Sequence, residues 1–493
     1  RSLSLSLYIY IYYIYIYIPE KMKLVNDKSK NLIVNEFEDG RNNINNKSKC
    51  CSKILILKLL YFLAGLSGTS WGRYSAIFYV SRGLTPFQIG SIGCTIPFVR
   101  LVAQPIWGIV ADKLRNRKAV YLFTTTLNTA SILTLSIPEV SDAYWKIIVV
   151  ASITASFVAG GILDAYALET LKEVGKVSDY GKIRLWTAIS WGGGTSVMGF
   201  VIDRYGFSMM FIIFGSFQVF NFLIMAWFIP DVTDKEKKAI ENNEKKPEIK
   251  VLLRALFCSP RICFLLFLIA VFGAGFGMVG RLLFVFLIDE FNASKLLCGL
   301  TVGATVIFEL PIFYYGKEIL NFLGPATMMI IAMVSFIIRM FGYTLLTKST
   351  LNYILLLELC HGLTFAMMWT ASVNISSKIA PKGWKTATMT IISAFLSCLG
   401  GGTGALAGGY IAQKYSFKFM FHATGYFFSG VLLIHIIATC CGLFDFSNLK
   451  SDNEEEDERA LSDVLLQNND DDDVSYTNSY QKIHEEEMEG DSI

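Results

Sequence analysis

Apolar residues along this chain fall into long blocks, not into the alternation of a half-buried strand or the narrow stripe of a surface helix. Blocks of about 18 to 25 residues recur about twelve times. They lie at 54–80, 87–111, 119–137, 147–168, 185–202, 208–228, 263–288, 296–315, 326–346, 351–375, 386–412 and 417–441. At about 1.5 Å of rise per residue, each can cross about 30 Å of hydrocarbon as a helix. Hydrocarbon offers backbone amides no water to bond, so a helix is what such a block must form. The pattern predicts an all-α, multi-pass membrane protein.

The polar segments set the organisation. Residues 1–53 read as an Asn-rich cytoplasmic tail, and the Tyr–Ile alternation from Tyr8 to Ile18 is what a TA repeat encodes, so residues 1–21 read as an untranslated-region artefact with Met22 as the start. Apolar blocks fill 54–229 and 261–441, with a charged linker at 230–260 between them and a strongly acidic tail at 442–493. Tails of this composition bury too little apolar surface to fold alone. In the last one, Tyr480-Gln481-Lys482-Ile483 has the form of an endocytic sorting signal, which would contact a sorting adaptor; a chance match is the alternative. Cys50 and Cys51, beside Lys49 and Lys53, fit S-palmitoylation or simply two unmodified thiols. The other cysteines show no framework spacing and predict no disulfide.

Composition agrees with the blocks, since 53% of the residues are hydrophobic and only 17% charged. The cations concentrate on one side of the spans: Lys113, Arg115, Arg117 and Lys118, then Lys172, Lys176 and Lys182, then the stretch from Lys235 to Arg261, then Lys378, Lys382 and Lys385. Intervening loops hold little beyond Arg82, Lys146, Arg204, Lys295 and Lys348. The positive-inside rule makes both termini cytoplasmic, in the plasma membrane or an endomembrane. The net charge of +3 is thereby spent on topology and implies no nucleic-acid partner. No hydrolytic, metal or cofactor site is visible.

Ionisable residues inside the spans carry the candidate chemistry. A charge at the bilayer centre costs roughly 3 kcal/mol, so such groups face a protein interior or a wet path and pair with one another. The second half holds Glu309, Arg339, Glu358 and His361, and the first half Arg73, Asp164 and Arg184. Counting along the helices puts Arg339 and His361 near the midplane, with Glu358 and His361 on one face at i, i+3. An Arg, a His and two carboxylates at one depth can exchange partners when a proton binds, which is what proton-coupled transport needs. Arg281 lies deep enough to face a cavity, whereas Arg73 could snorkel to an interface. Extra cavity arginines suit a carboxylated or otherwise anionic solute. Arg100, before Pro105, reads as inter-helix scaffolding.

Two segments carry a family resemblance. Gly108-Ile109-Val110-Ala111-Asp112-Lys113-Leu114-Arg115-Asn116-Arg117-Lys118 resembles the signature loop of the major facilitator superfamily, with Gly108, Asp112, Lys113 and Arg117 as its gating residues. It departs from the pattern at Arg115, where the family has a second Gly. Tyr180-Gly181-Lys182-Ile183-Arg184-Leu185-Trp186, with Trp191 seven residues past the Arg, is similar to the substrate segment of the lactose permease branch of proton symporters and its eukaryotic facilitator-domain relatives. The resemblance covers about residues 60–441.

It implies a twelve-helix fold of two six-helix bundles around a central cavity. It also implies that Arg184 and Trp191 touch the solute and that Asp164 is their acidic partner, with Glu169 a competitor. Without the resemblance, Arg184 reads as a topology anchor and Trp191 as a core or interfacial aromatic. The branch's Arg and His align with Arg339 and His361, but its proton-accepting carboxylate aligns with Thr364, which leaves Glu309 or Glu358 to carry coupling. Glycine runs at Gly192–Gly194 and Gly400–Gly409 should let helices approach and slide, and Pro97, Pro105 and Pro311 should bend them.

The resulting expectation is a secondary transporter moving a small polar solute, a sugar, nucleoside or organic anion, by proton-coupled symport. A passive uniporter and a transport-inactive receptor or scaffold signalling through the acidic tail are the alternatives.

Overall fold

The computed structural model describes residues 53–114, 116–158, 160–173, 180–229, 256–381 and 384–444; Cys50, Cys51, most of the charged linker and the Tyr480–Ile483 signal lie outside the described residues. All regular structure among the described residues is helical. The first half runs α1 (Lys53–Ser81), α2 (Pro86–Leu114), α3 (Arg117–Thr134), α4 (Tyr144–Ser156), α5 (Gly160–Glu173), α6 (Tyr180–Tyr205) and α7 (Phe207–Phe228). The second runs α8 (Pro260–Phe291), α9 (Lys295–Tyr314), α10 (Gly316–Thr344), α11 (Ile354–Ile379), α12 (Lys385–Ala394), α13 (Thr403–Lys414) and α14 (Phe417–Cys440). A π-helical stretch, Phe395–Gly402, joins α12 to α13.

Helix overlies every apolar block, and nine spans among the described residues are long and apolar enough to cross a membrane. The blocks at 119–137, 147–168 and 185–202 fall short for visible reasons. Threonine, serine, asparagine and glycine dilute the apolar content of α3 and α6, and α4 stops after 13 residues.

Interruptions fall at Gly72 in α1 and Gly324 in α10, and at Phe157 after α4. Prolines Pro97, Pro105 and Pro311 sit inside continuous helix. The break after α4 frees carbonyls that side chains then satisfy: Trp107 Nε1 donates to Ser156 O at 2.6 Å and Asn128 Nδ2 to Thr154 O at 2.8 Å. Gly324, at φ 73°, turns α10 just before Pro325. A short helix therefore precedes the block expected at 326–346. The left-handed φ is one that glycine adopts without penalty.

The two halves meet where α1 packs on α8, α2 on α8, α13 and the π stretch, and α6 on α9. Backbones come close there because glycines remove the side chain. A Cβ on Gly90 would lie 2.4 Å from Ala405 O, one on Gly199 2.2 Å from Lys295 O, and one on Gly299 2.5 Å from Thr195 O. These approaches run from mid-helix toward the end that carries the loops at 82–85 and 292–294, the end that the cation pattern predicts to be extracytoplasmic. A single apolar core joins both halves at that end, while the other end of the first half keeps a separate core around Leu60, Tyr121, Leu171 and Met225. The bundles are thus sealed together at one end.

Candidate functional site

Arg339, fully buried on α10, organises the second half. Its Nε donates to Glu358 Oε1 at 3.2 Å and to the Tyr343 hydroxyl at 2.5 Å. That hydroxyl donates in turn to Glu358 Oε1. Thr305 Oγ1 donates to Glu358 Oε2 at 3.4 Å. Arg339 Nη1 lies 2.7 Å from His361 Nδ1. A guanidinium only donates, so Nδ1 accepts and a neutral ring carries its proton on Nε2. Phe276 packs edge-on against the imidazole with ring centroids 5.5 Å apart. Glu358 and His361, at i and i+3, both reach the one guanidinium. Removing one member of such a buried pair strands the other charge, at a cost of about 3–5 kcal/mol.

Helix α9 comes against α11 at Gly362, where a Cβ would lie 2.1 Å from Thr305 O and 3.0 Å from Glu309 N. This places the backbone of Glu309 one residue past His361 along the seam. The charge of Arg73 of α1 acts on Glu309, and Arg73 in turn feels Glu358 and Arg339. Arg73 Nη1 donates to Gly280 O on α8 at 3.2 Å. It does not snorkel outward but reaches across the bundle interface, because α1 unwinds at Gly72 and Arg73. Arg73, Arg281, Glu309 and His361 keep part of their surface accessible although protein surrounds them, whereas Arg339, Tyr343 and Glu358 sit behind that lining.

In the first half, Asp164 on α5 accepts a 2.5 Å hydrogen bond from the Tyr61 hydroxyl of α1. Tyr61 O accepts from Thr187 Oγ1 of α6 at 3.0 Å. Arg184 lies one turn before Thr187, on the same face of α6, and is exposed. The side chain of Glu169 lies outside the described residues. Trp191 is half-buried, its six-membered ring lodged against α1: a Cβ on Gly68 would meet it at 3.2 Å and one on Gly72 at 2.8 Å.

In the signature loop, Gly108 faces open space within 4 Å and makes no close helix contact. Lys113 is exposed, Arg117 opens α3, and the side chain of Asp112 lies outside the described residues. Arg115 lies outside the described residues, and past it Asn116 caps α3 by accepting from Ala119 N at 2.9 Å.

Tyr343, Tyr61 and Thr305 escaped the sequence reading. Tyr343 had a usable signal, one turn after Arg339 on the same face. Thr364, aligned with the lactose permease branch's acid, bonds back to Cys360 O at 2.7 Å.

The model of the MFS_1 like family matches residues 54–423. The chain belongs to that family. The chain is similar to the maltose permease of Geobacillus stearothermophilus, 23% identical over 394 residues that span 78% of this chain and 94% of that one. It is also 24% identical to the uncharacterized transporter YwbF of Bacillus subtilis, over 72% of this chain and 86% of that one. Among solved structures, the nucleoside transporter NupG superposes with a TM-score of 0.65 at 17% identity, covering 80% of this chain and 99% of that one. The fold is that of the major facilitator transporters, and the protein is a membrane transporter of that kind.

Proposed function

We propose that the chain is a proton-coupled symporter of a small polar organic solute, working by alternating access between its two bundles with both termini in the cytoplasm. The observation that carries this reading is the Arg339 guanidinium, shared at once by Glu358, Tyr343 and His361 in a fully buried setting. With Glu358 ionised, the cluster is neutral, and Arg339 Nη2 is left without a partner in it. Protonating Glu358 cancels the charge that holds Arg339 and takes the acceptor from Tyr343, so the guanidinium turns to His361 or to a solute oxygen. Loading a proton therefore changes what the cavity presents, which is the link a symporter requires. Glu309, set apart with Arg73, is the second candidate for the coupling acid. Arg184, Trp191 and Asp164 complete the solute site from the first bundle, and Asp112, Lys113 and Arg117 form the cytoplasmic gate.

The test is transport in proteoliposomes, measured as accumulation under an imposed pH gradient and, separately, as exchange of labelled solute at equal pH. Glu358→Gln mimics the protonated acid, so it should retain exchange and lose accumulation. Glu309→Gln should keep accumulation at reduced affinity. Should both variants accumulate solute against its gradient, the carboxylates are structural and a passive or differently coupled carrier is the better reading. Maltose and uridine are the first solutes to try, given what the relatives carry by name.

A further inference from the structure

Three arginines stand outside the Arg339 cluster, and we infer that Arg73, Arg100 and Arg281 bind an oxyanion group, carboxylate or phosphate, on the transported solute. The inference rests on the reading of the chain as a solute carrier and narrows its substrate class.

The geometry joins three helices. Arg73 of α1 donates to Gly280 O, the residue preceding Arg281 on α8. The Arg281 side chain crosses to α2 at Gly93, where a Cβ would lie 3.3 Å from its Cγ and 3.7 Å from its Nε. Gly93 is thus a notch along which the guanidinium runs. Arg100 follows seven residues later, two turns along the same face of α2. Each of Arg73 and Arg100 feels the positive charge of Arg281. Arg100 is exposed on α2.

Glu309, which feels the charge of Arg73, offsets one of the three positive charges and leaves the others uncompensated. Among the described residues, none of these arginines forms an ion pair with a carboxylate. The acids whose charge reaches Arg73 are Glu358, already bonded to Arg339 and Tyr343, and Glu309. A guanidinium does not shed its proton, and like charges enclosed together repel strongly away from bulk water. A carboxylate or phosphate entering the cavity supplies the missing charge, and its oxygens match the planar fork of donors. The hydroxyls of a neutral sugar or nucleoside would leave the repulsion in place.

Binding to the full-length protein in nanodiscs, followed by thermal unfolding, tests this with succinate, glucose 6-phosphate, maltose and uridine as probes. Succinate or glucose 6-phosphate should stabilise saturably, and which of the two does so separates carboxylate from phosphate. Arg100→Gln and Arg281→Gln should each weaken that binding by about tenfold or more, the usual scale for a charge-assisted contact. Arg281→Lys, which keeps the charge and the fold, should recover part of the loss. Saturable binding of maltose or uridine that both glutamine variants leave unchanged would overturn the inference, as would failure of both anions to bind. Accumulation of a neutral solute under a pH gradient sinks this inference and leaves the symport reading standing. Anion binding with no transport in vesicles does the reverse.

Discussion

Tyr343 shows how much one hydroxyl can decide. Fully buried, it accepts from Arg339 and donates to Glu358, so it fixes the direction in which the carboxylate offers its second oxygen. Tyr343→Phe keeps the ring against Phe421 and removes the oxygen, leaving a buried donor and acceptor short of a partner. Such a loss costs about 1–3 kcal/mol. Proton-driven accumulation should therefore fall by about an order of magnitude while folded yield stays near normal; wild-type accumulation would remove Tyr343 from the machinery. Arg184 makes the matching case in the first bundle. It is exposed, so Arg184→Lys should not harm folding. Losing the planar fork should nonetheless cut uptake severely at normal expression. Wild-type affinity in that variant would return Arg184 to a topology anchor. Charge alone made Arg339, Glu358 and His361 legible, because ionisable residues in apolar blocks have few bland uses. Tyr343, Tyr61 and Thr305 were not legible, because tyrosine and threonine are ordinary residues in such helices and only their partners distinguish them.

Between elements, the seams explain which parts of the fold could be read in advance. Block length gave the helices, but the break in α10 depends on the backbone angle of Gly324 and the one after α4 on that of Phe157, which no hydropathy pattern encodes. Gly400, Gly404 and Gly408 lie four residues apart and all face α8. A Cβ on Gly404 would sit 2.1 Å from Ala274 O and 2.5 Å from Ala274 Cα, both rigid backbone of α8. Gly404→Val should force that pair of helices apart, lowering the unfolding temperature in detergent by an amount equivalent to about 1–3 kcal/mol. An unchanged melting curve would mean that the seam yields freely. The α6–α9 seam carries a latch as well. Asp203 at the end of α6 accepts from the first free amides of α9, Lys295 N at 3.1 Å and Leu296 N at 2.8 Å, with Lys295 Nζ 3.3 Å away. A carboxylate at a helix N-terminus is favourable by about 0.5–2 kcal/mol. Asp203→Asn should loosen this end and raise labelling of a cysteine placed at Ser196, which bonds Gly299 O across the seam at 3.2 Å. Equal labelling in both backgrounds would show that the latch does not hold the halves together.

At the scale of the whole molecule, the cation asymmetry and the seal make one connected claim about orientation. Lys113, Arg117, Lys172, Arg261 and Lys378 gather at the end where the first half keeps its own separate core, and the bundles are joined at the opposite end. If positive charge marks the cytoplasm, the structure is closed to the outside and its solute site communicates with the inside. Native thiols allow a direct check, since Cys258 and Cys441 are exposed and both fall at the cation-rich end. In sealed vesicles of known orientation, a membrane-impermeant thiol reagent added from outside should leave the wild type unlabelled until the membrane is opened. A cysteine placed at Ser349, in the exposed turn between α10 and α11, should label at once. Asn292, in the sequon Asn292-Ala293-Ser294, falls at that same end of the molecule, but only three residues separate α8 from α9 there, so it should stay unglycosylated. Labelling of Cys258 and Cys441 from outside, with Ser349→Cys protected, would invert the topology. The sealed end would then be cytoplasmic, and the cluster around Arg339 would exchange its proton with the opposite compartment.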